Sequence, residues 1–346
     1  MLIDPDPTAV IQPLPGIGDM VWHLPHIRAL AARWGGPVTL VAKPRSAADQ
    51  LFAAETTVAK ILWMDRNPDN RPGRHDGPAG VMRLIAALRA HRFRRAVLLH
   101  HSHTLAFALM SAGIPERYGY GFGLQRLFLN RPPALPAAAL ALHPYDQATA
   151  WLNIAGIPMP NPEPRLPVTA SARRAVLDRL GPASGGLVLL GIGTSEPAKQ
   201  WGATRFTELA IALAAAGWRR FALAGGVAEA VMSEQIRAHV STLAEVVPAI
   251  AWSLPEVAAL AAEARFYIGN DTGAMNLAAA VGIRAYGLFG AVAPFHHASR
   301  IIPILPPDGQ VSLQDGMARI TPATVLAAIR NDRGTLAPLG GSDALA

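Results

Sequence analysis

Along the chain, short runs of consecutive apolar residues alternate with longer stretches in which apolar positions return every three or four residues. That alternation predicts strands buried on both faces and separated by amphipathic helices, hence an α/β protein built on mostly parallel sheets. In the first half the apolar runs are AVIQPLP (9–15), PVTLVA (37–42), KILWM (60–64) and RAVLLH (95–100). Helical spacing is expected over 20–35, near 46–54, over 79–91, near 103–112 and over 145–156. Segment 130–144, NRPPALPAAALALHP, is too rich in proline to be regular, and PMPNPEPRLPV (158–168) reads as a linker.

The second half restarts the same grammar. GLVLLGIGTSEPAKQW (186–201) is a strand, a glycine turn and a loop, followed by a helix over 204–218. RRFALAGG (219–226) feeds a helix over 227–240, and Ser253 with Glu256 is spaced as a capping box opening a helix at 253–264. FYIGNDTG (266–273) runs from a strand into an Ala-rich helix, RAYGLFG (284–290) is a further strand, and 321–330 closes as a helix. Each half thus begins strand, Gly-Ile-Gly, loop, helix, at Gly16-Ile17-Gly18 and Gly191-Ile192-Gly193. The economical architecture is two Rossmann-like parallel-sheet lobes, 1–160 and 161–330, facing each other across a cleft, with a disordered tail at 331–346.

Length agrees, since 346 residues exceed what one core ordinarily holds. With 51% hydrophobic and 16% charged residues the composition is globular, and the absence of cysteine excludes disulfides and thiolate metal sites. The opening MLIDPDPTAV lacks a basic segment and an apolar run, so no secretory leader is expected. Segment 96–115 is apolar but carries three histidines, a serine and a threonine, and divides into strand, turn and helix instead of spanning a bilayer. A soluble, cytoplasmic protein is expected. The net charge of +7 suits nucleic acid, an anionic lipid surface or a phosphorylated substrate. Arginines cluster at 88–95 without the aromatic pattern of RNA binders, so nucleic acid is not expected. Lysine occurs only at Lys43, Lys60 and Lys199, against 28 arginines, which makes Lys199 an unusual choice.

Several chemistries fail on spacing. A dinucleotide fingerprint needs a third glycine where the chain has Val21 and Glu196, so the glycines are read as tight strand-to-helix turns. Asp-Thr-Gly occurs once and opens a helix, whereas aspartic proteases need two such carboxylates on β-rich lobes. Histidines 100, 101, 103, 296 and 297 match no three-ligand pattern, so no metal is expected. Three groups remain. Asp19, following Gly18 at the start of the first helix, is either an N-cap carboxylate or a base able to take a proton from a hydroxyl. Thr194, Ser195 and Lys199 after a strand suit an anion cradle, or form an ordinary polar loop. Asp271, Thr272 and Gly273 stand at a helix mouth, where free amides favour an anion or a polyhydroxylated ligand.

Together these stretches resemble glycosyltransferase family 9, the ADP-heptose:lipopolysaccharide heptosyltransferases. NDTGAMNLAAAVGIRAYGLFG resembles that family's D-T-G-x-x-H-L-A-A-A-x-G-x-P signature, GIGDMVWHLPHIRAL its G-D-x-x-x-x-L-P element, and KQW its K-x-W. The matches keep the family's order and span roughly residues 10–330. The resemblance implies a GT-B fold without a metal or other cofactor, an N-terminal acceptor lobe and a C-terminal lobe for a nucleotide-sugar donor such as ADP-heptose. It implies Asp19 as general base beside Gly18, with Thr194, Ser195 and Lys199 on the diphosphate. It places Asp271, Thr272 and Gly273 at the donor's sugar and phosphate, Glu229 at the ribose and Trp252 at the nucleobase. Repelled by phosphate, the Asp271 carboxylate is expected to accept from sugar hydroxyls or from its own loop's amides. The acceptor would be a lipid-linked or surface glycan, approached peripherally at an anionic inner membrane. Two positions depart from the pattern: Asn276 replaces the histidine, and Gly282-Ile283-Arg284 replaces G-x-P. The alternatives are a sugar-nucleotide 2-epimerase of the same fold and a non-catalytic relative that binds a nucleotide sugar or glycan.

Overall fold

The structure is a computed structural model describing residues 7–68, 71–181, 186–295 and 297–332. The chain divides into two compact units, Met1–Pro164 and Arg165–Ala346.

The first lobe is a five-stranded sheet: β1 (Thr8–Gln12), β2 (Val38–Ala42), β3 (Val58–Trp63), β4 (Arg95–Leu98) and β5 (Glu116–Gly119). The order is β3-β2-β1-β4-β5 and every pairing is parallel. The crossovers carry α1 (Ile17–Arg33), α2 (Ala48–Leu51), α3 (Gly77–Ala90) and α4 (His103–Ser111), and α5 (Pro144–Ile154) packs against α1. All five residues of β1 are buried, as a central parallel strand requires. Segment 96–115 resolves into β4, a turn and α4, and among the described residues no helix is long and apolar enough to cross a membrane.

The second lobe carries β6 (Leu187–Gly191), β7 (Arg220–Gly225), β8 (Glu245–Ile250), β9 (Ala264–Asn270), β10 (Arg284–Leu288) and β11 (Ile301–Ile304), again all parallel, in the order β11-β10-β9-β6-β7-β8. Its helices are α6 (Ala170–Leu180), α7 (Ala203–Ala215), α8 (Ala230–Val240), α9 (Leu254–Glu263), α10 (Gly273–Ala280), the short α11 (Gly316–Arg319) and α12 (Pro322–Asn331). Alternate strand residues feed two cores. Val188, Leu190, Phe266 and Ile268 point to one face with Trp201 and Phe206, while Leu187, Leu189 and Tyr267 point to the other with Leu260.

The sequence reading placed no element over 116–119, 170–180, 245–250 or 301–304, where the structure has β5, α6, β8 and β11. Three of these are edge strands, and β8 and β11 contain Pro248 and Pro303. Proline is tolerated at an edge, where one side of the strand donates to no neighbour, but it breaks the apolar run that signals a strand. Helix α1 begins at Ile17, three residues earlier than expected, because Gly16 serves as its N-cap. Of the tail expected at 331–346, residues 333–346 lie outside the described residues. Asn331 still belongs to α12, and Asp332 accepts a hydrogen bond from the Tyr286 hydroxyl at 3.0 Å and pairs with Arg284 at 3.1 Å.

Candidate functional site

In the first lobe, chemistry gathers where β1 gives way to α1. With Gly16 as the N-cap, Asp19 is the third helical residue, and Gly18 the second. The Asp19 Oδ2 accepts a hydrogen bond from the Gly16 N–H at 3.0 Å. A Cβ on Gly16 would sit 2.6 Å from that oxygen, so the glycine leaves room for the carboxylate that caps it. This corrects the N-cap reading of Asp19: the side chain reaches back along the chain to satisfy an orphan amide from the third position. Asp19 remains half-buried.

Two buried groups pin the same turn. Gln12 is fully buried, and its Oε1 accepts from the Leu14 N–H at 3.0 Å. His23, also fully buried, donates from Nδ1 to the Asp19 carbonyl at 2.7 Å, while its Nε2 has no partner. Burial holds the His23 pKa down to about 4, against the raising effect of the Asp19 carbonyl. One turn on, His26 Nε2 donates to the Thr149 hydroxyl at 2.8 Å, which itself donates to the Tyr145 carbonyl, tying α1 to α5. Burial pushes the His26 pKa well below its ordinary value too. Both imidazoles are neutral packing elements. His100, at the end of β4, is likewise held down to about 4 by burial, with His101 and Lys43 adding to the effect. Among the described residues, no group of three or more His, Asp or Glu side chains is placed to hold a metal ion.

In the second lobe, the candidates collect at the carboxyl ends of the two central strands, β6 and β9. Tyr267 explains the glycines there. Its ring lies where side chains on Gly191 and Gly269 would be, and those glycines face each other across the β6–β9 pair. Gly191 is therefore required for clearance over a buried aromatic ring, and not for a turn. Burial pushes the Tyr267 phenol upward, so it is a neutral donor, and its hydroxyl lies 3.4 Å from the Asn270 carbonyl.

Asn270, which the sequence reading left out of the site, is its keystone. Fully buried, it accepts from the Trp201 N–H at 3.2 Å and donates to the carbonyls of Ile192 and Gly193 at 3.2 Å each. One amide thus joins the end of β9 to the loop after β6. A small polar residue closing an apolar strand was the available signal.

Lys199 is held over that keystone. Its Nζ lies 2.9 Å from Glu196 Oε1 and 3.2 Å from Asp271 Oδ2, with the side chain only 16% exposed. Burial works to lower the ammonium's pKa, but the hydrogen bond it donates to Glu196 and the Asp271 charge more than reverse it, leaving it above the ordinary lysine value. Asp271 is therefore partnered by a cation, a partner beyond the sugar hydroxyls or loop amides expected from the sequence. Thr194 Oγ1 accepts from the Glu196 N–H at 3.1 Å, and Ser195 is exposed beside it. Thr272 is the N-cap of α10 without a side-chain cap bond, and Gly273 is the first helical residue.

Glu229 repeats the device of Asp19: its Oε2 accepts from the Gly226 N–H at 2.8 Å, and a Cβ on Gly193 would sit 3.4 Å from it. Asn276 is buried, donating to the Thr272 carbonyl at 3.1 Å and facing His297 Nε2 at 2.8 Å through Oδ1. Trp252 stands apart at the end of edge strand β8, two strands from β6, with the Arg179 guanidinium 4.6 Å over its ring. The tryptophan of KQW, Trp201, is a core residue with no exposure, donating from Nε1 to the Ile320 carbonyl at 2.8 Å.

Two parallel-sheet lobes, with the Lys199 ammonium and the start of α10 at the carboxyl ends of the second lobe's central strands, are the architecture of a GT-B glycosyltransferase. The chain belongs to glycosyltransferase family 9 (heptosyltransferase), whose family model matches residues 81–319. That stretch contains every candidate of the second lobe and leaves out Gly18 and Asp19. Solved structures agree on the fold. E. coli ADP-heptose lps heptosyltransferase II is 22% identical with a TM-score of 0.73, covering 94% of this chain and 97% of that one. A family 9 glycosyl transferase from Veillonella parvula is 19% identical with a TM-score of 0.75, covering 95% of this chain and 97% of that one. E. coli heptosyltransferase WaaC with ADP-2-deoxy-2-fluoro heptose is 19% identical with a TM-score of 0.71, covering 94% of this chain and 99% of that one. A comparison with curated protein sequences gave no match.

Proposed function

We propose that the protein transfers a sugar, a heptose from ADP-heptose in the leading reading, to a hydroxyl of a lipopolysaccharide-type or other bacterial surface glycan, with inversion and without a metal. The observation that carries this is Lys199, an ammonium held between two carboxylates beside the open turn at Gly193–Ser195 and the start of α10. A diphosphate entering there exchanges with Glu196 or Asp271 for the same cation, and the amides at the start of α10 add their dipole. The asparagine at 276 presents an amide where the family motif has imidazole, and His297 brings an imidazole to it. A donor of the kind named in the WaaC structure supports ADP-heptose as the first candidate.

The chemistry would run in one displacement. Asp19 takes the proton of the acceptor hydroxyl as its oxygen attacks the anomeric carbon. The bond from that carbon to the phosphate oxygen breaks, and the nucleoside diphosphate departs with the electron pair, its new charge met by Lys199. The first lobe would hold the acceptor and the second the donor. Glu229 is assigned to the ribose and Trp252 to the nucleobase.

The test combines binding and turnover. Thermal shifts against ADP-, UDP-, GDP-, dTDP- and CMP-sugars should single out the ADP donor. Lys199→Met should weaken that binding roughly tenfold or more, the size of a lost charge-assisted hydrogen bond. Asp19→Asn should keep donor binding and lose turnover by at least about a hundredfold. Indifference of donor binding to Lys199→Met, or full turnover in Asp19→Asn, would overturn the respective assignment.

A further inference from the structure

The loop that follows β5 is built inside out. In the 3-10 turn Gly123–Leu127 the uncharged polar residue, Gln125, is fully buried, while Leu124 is 60% and Leu127 69% exposed. Gln125 is fixed inward by strong bonds: its Oε1 accepts from the Gly121 N–H at 3.0 Å and its Nε2 donates to the His100 carbonyl at 2.7 Å. The leucines cannot rotate in without breaking that anchor. Phe107 of α4, 39% exposed, extends the same surface through an edge-to-face contact between its ring and Phe128. Downstream, PPALPAAALAL (132–142) is eleven consecutive apolar residues, with Leu140 53% and Leu142 43% exposed. Water alone does not favour exposed leucines in this number, and exposed apolar surface beside polar groups marks interaction sites.

Charge decides what covers it. From Arg117 to Tyr145 the chain has three arginines and no aspartate or glutamate. Arg126 is exposed between the two leucines, and Arg131 shares the single carboxylate of Glu116 with Arg94 and Arg95. A second copy of this chain docking through the same patch would set arginines against arginines. An anionic lipid surface accepts both the leucines and the guanidiniums. Gln125 also ties the turn to the carboxyl end of β4, the sheet end at which β1 leads into the Asp19 turn, so the patch and the proposed base share one side of the lobe.

We propose that residues 121–142, with Phe107, form a membrane-interfacial docking surface for anionic phospholipid. It rests on the reading of a lipid-linked acceptor, yet it is measured with neither donor nor acceptor, so it can fail while the transferase assignment stands. The full-length protein is sedimented with vesicles of phosphatidylglycerol and phosphatidylethanolamine, and with phosphatidylcholine alone. Binding to the anionic vesicles that weakens with salt is expected, with little to phosphatidylcholine. The double substitution Leu124→Gln, Leu127→Gln should reduce it at least roughly tenfold, and Arg131→Gln about fivefold, the equivalent of one basic residue near a charged leaflet. Both variants should keep the wild-type melting temperature, because the side chains replaced are exposed. Absence of vesicle binding by the wild type, or binding unchanged in the leucine variant, overturns the proposal. So does a concentration-dependent dimer that the leucine variant abolishes without any vesicle binding.

Discussion

At the scale of the residue, the first lobe is shaped by imidazoles that stay neutral. His23 has both a lowered pKa, at about 4, and no partner on Nε2. In the unfolded chain the same side chain titrates near 6.5. Between those values the unfolded state binds a proton that the folded state refuses, so stability rises with pH across the window and is lost as pH falls from about 6.5 towards 4. His100 adds in the same direction. Melting temperature measured from neutral to acidic pH should fall steeply over that window, and the slope should flatten in His23→Gln, which keeps a donor for the Asp19 carbonyl but does not titrate. An equal slope in both proteins would show that other groups set the acid limit. His100 was legible in the sequence only as one of a cluster, since burial, not spacing, decides its state. Asp19 shows the same limit. Its place after Gly18 is readable, but whether it caps as N-cap or as third residue depends on where the helix starts, and a glycine N-cap carries no side-chain signal.

At the scale of the element, the alternating pattern made the central strands and long helices legible because they are buried on a fixed period. The capping box of Ser253 and Glu256 formed as expected, with the Ser253 N–H to Glu256 Oε2 at 2.9 Å, and α9 starts at Leu254. β5, β8, β11 and α6 escaped because a short, half-exposed edge strand, interrupted by proline in β8 and β11, or a helix with a thin apolar stripe, has little periodic signal. The glycine of a strand-to-helix junction was also misread, as turn geometry where it is aromatic clearance. That makes a test at the level of the β6–β9 pair. Gly191→Ala forces a methyl into the Tyr267 ring, which is fully buried. A loss of about 3 kcal/mol in urea unfolding is expected, the upper range for overpacking. Adding Tyr267→Leu should recover part of it, as coupled neighbours do. Additive losses would mean that the ring is not the obstacle.

At the scale of the whole molecule, each lobe has its own sheet and its own core, and the donor candidates all lie in the second. ADP is therefore expected to stabilise that lobe alone. In calorimetry a saturating concentration, about a hundred times Kd, should raise the second lobe's transition by the equivalent of about 2.7 kcal/mol and leave the first in place. A shift of both transitions by the same amount would contradict the assignment of the donor to one lobe. The first lobe carries a different kind of coupling. Its proposed base is also the group that closes the first turn of α1, through the bond from the Gly16 amide. A proton received there converts an acceptor pair into a hydroxyl and weakens the closure, and its release to solvent restores it. The start of α1 would then breathe once per turnover, in time with the chemistry it supports.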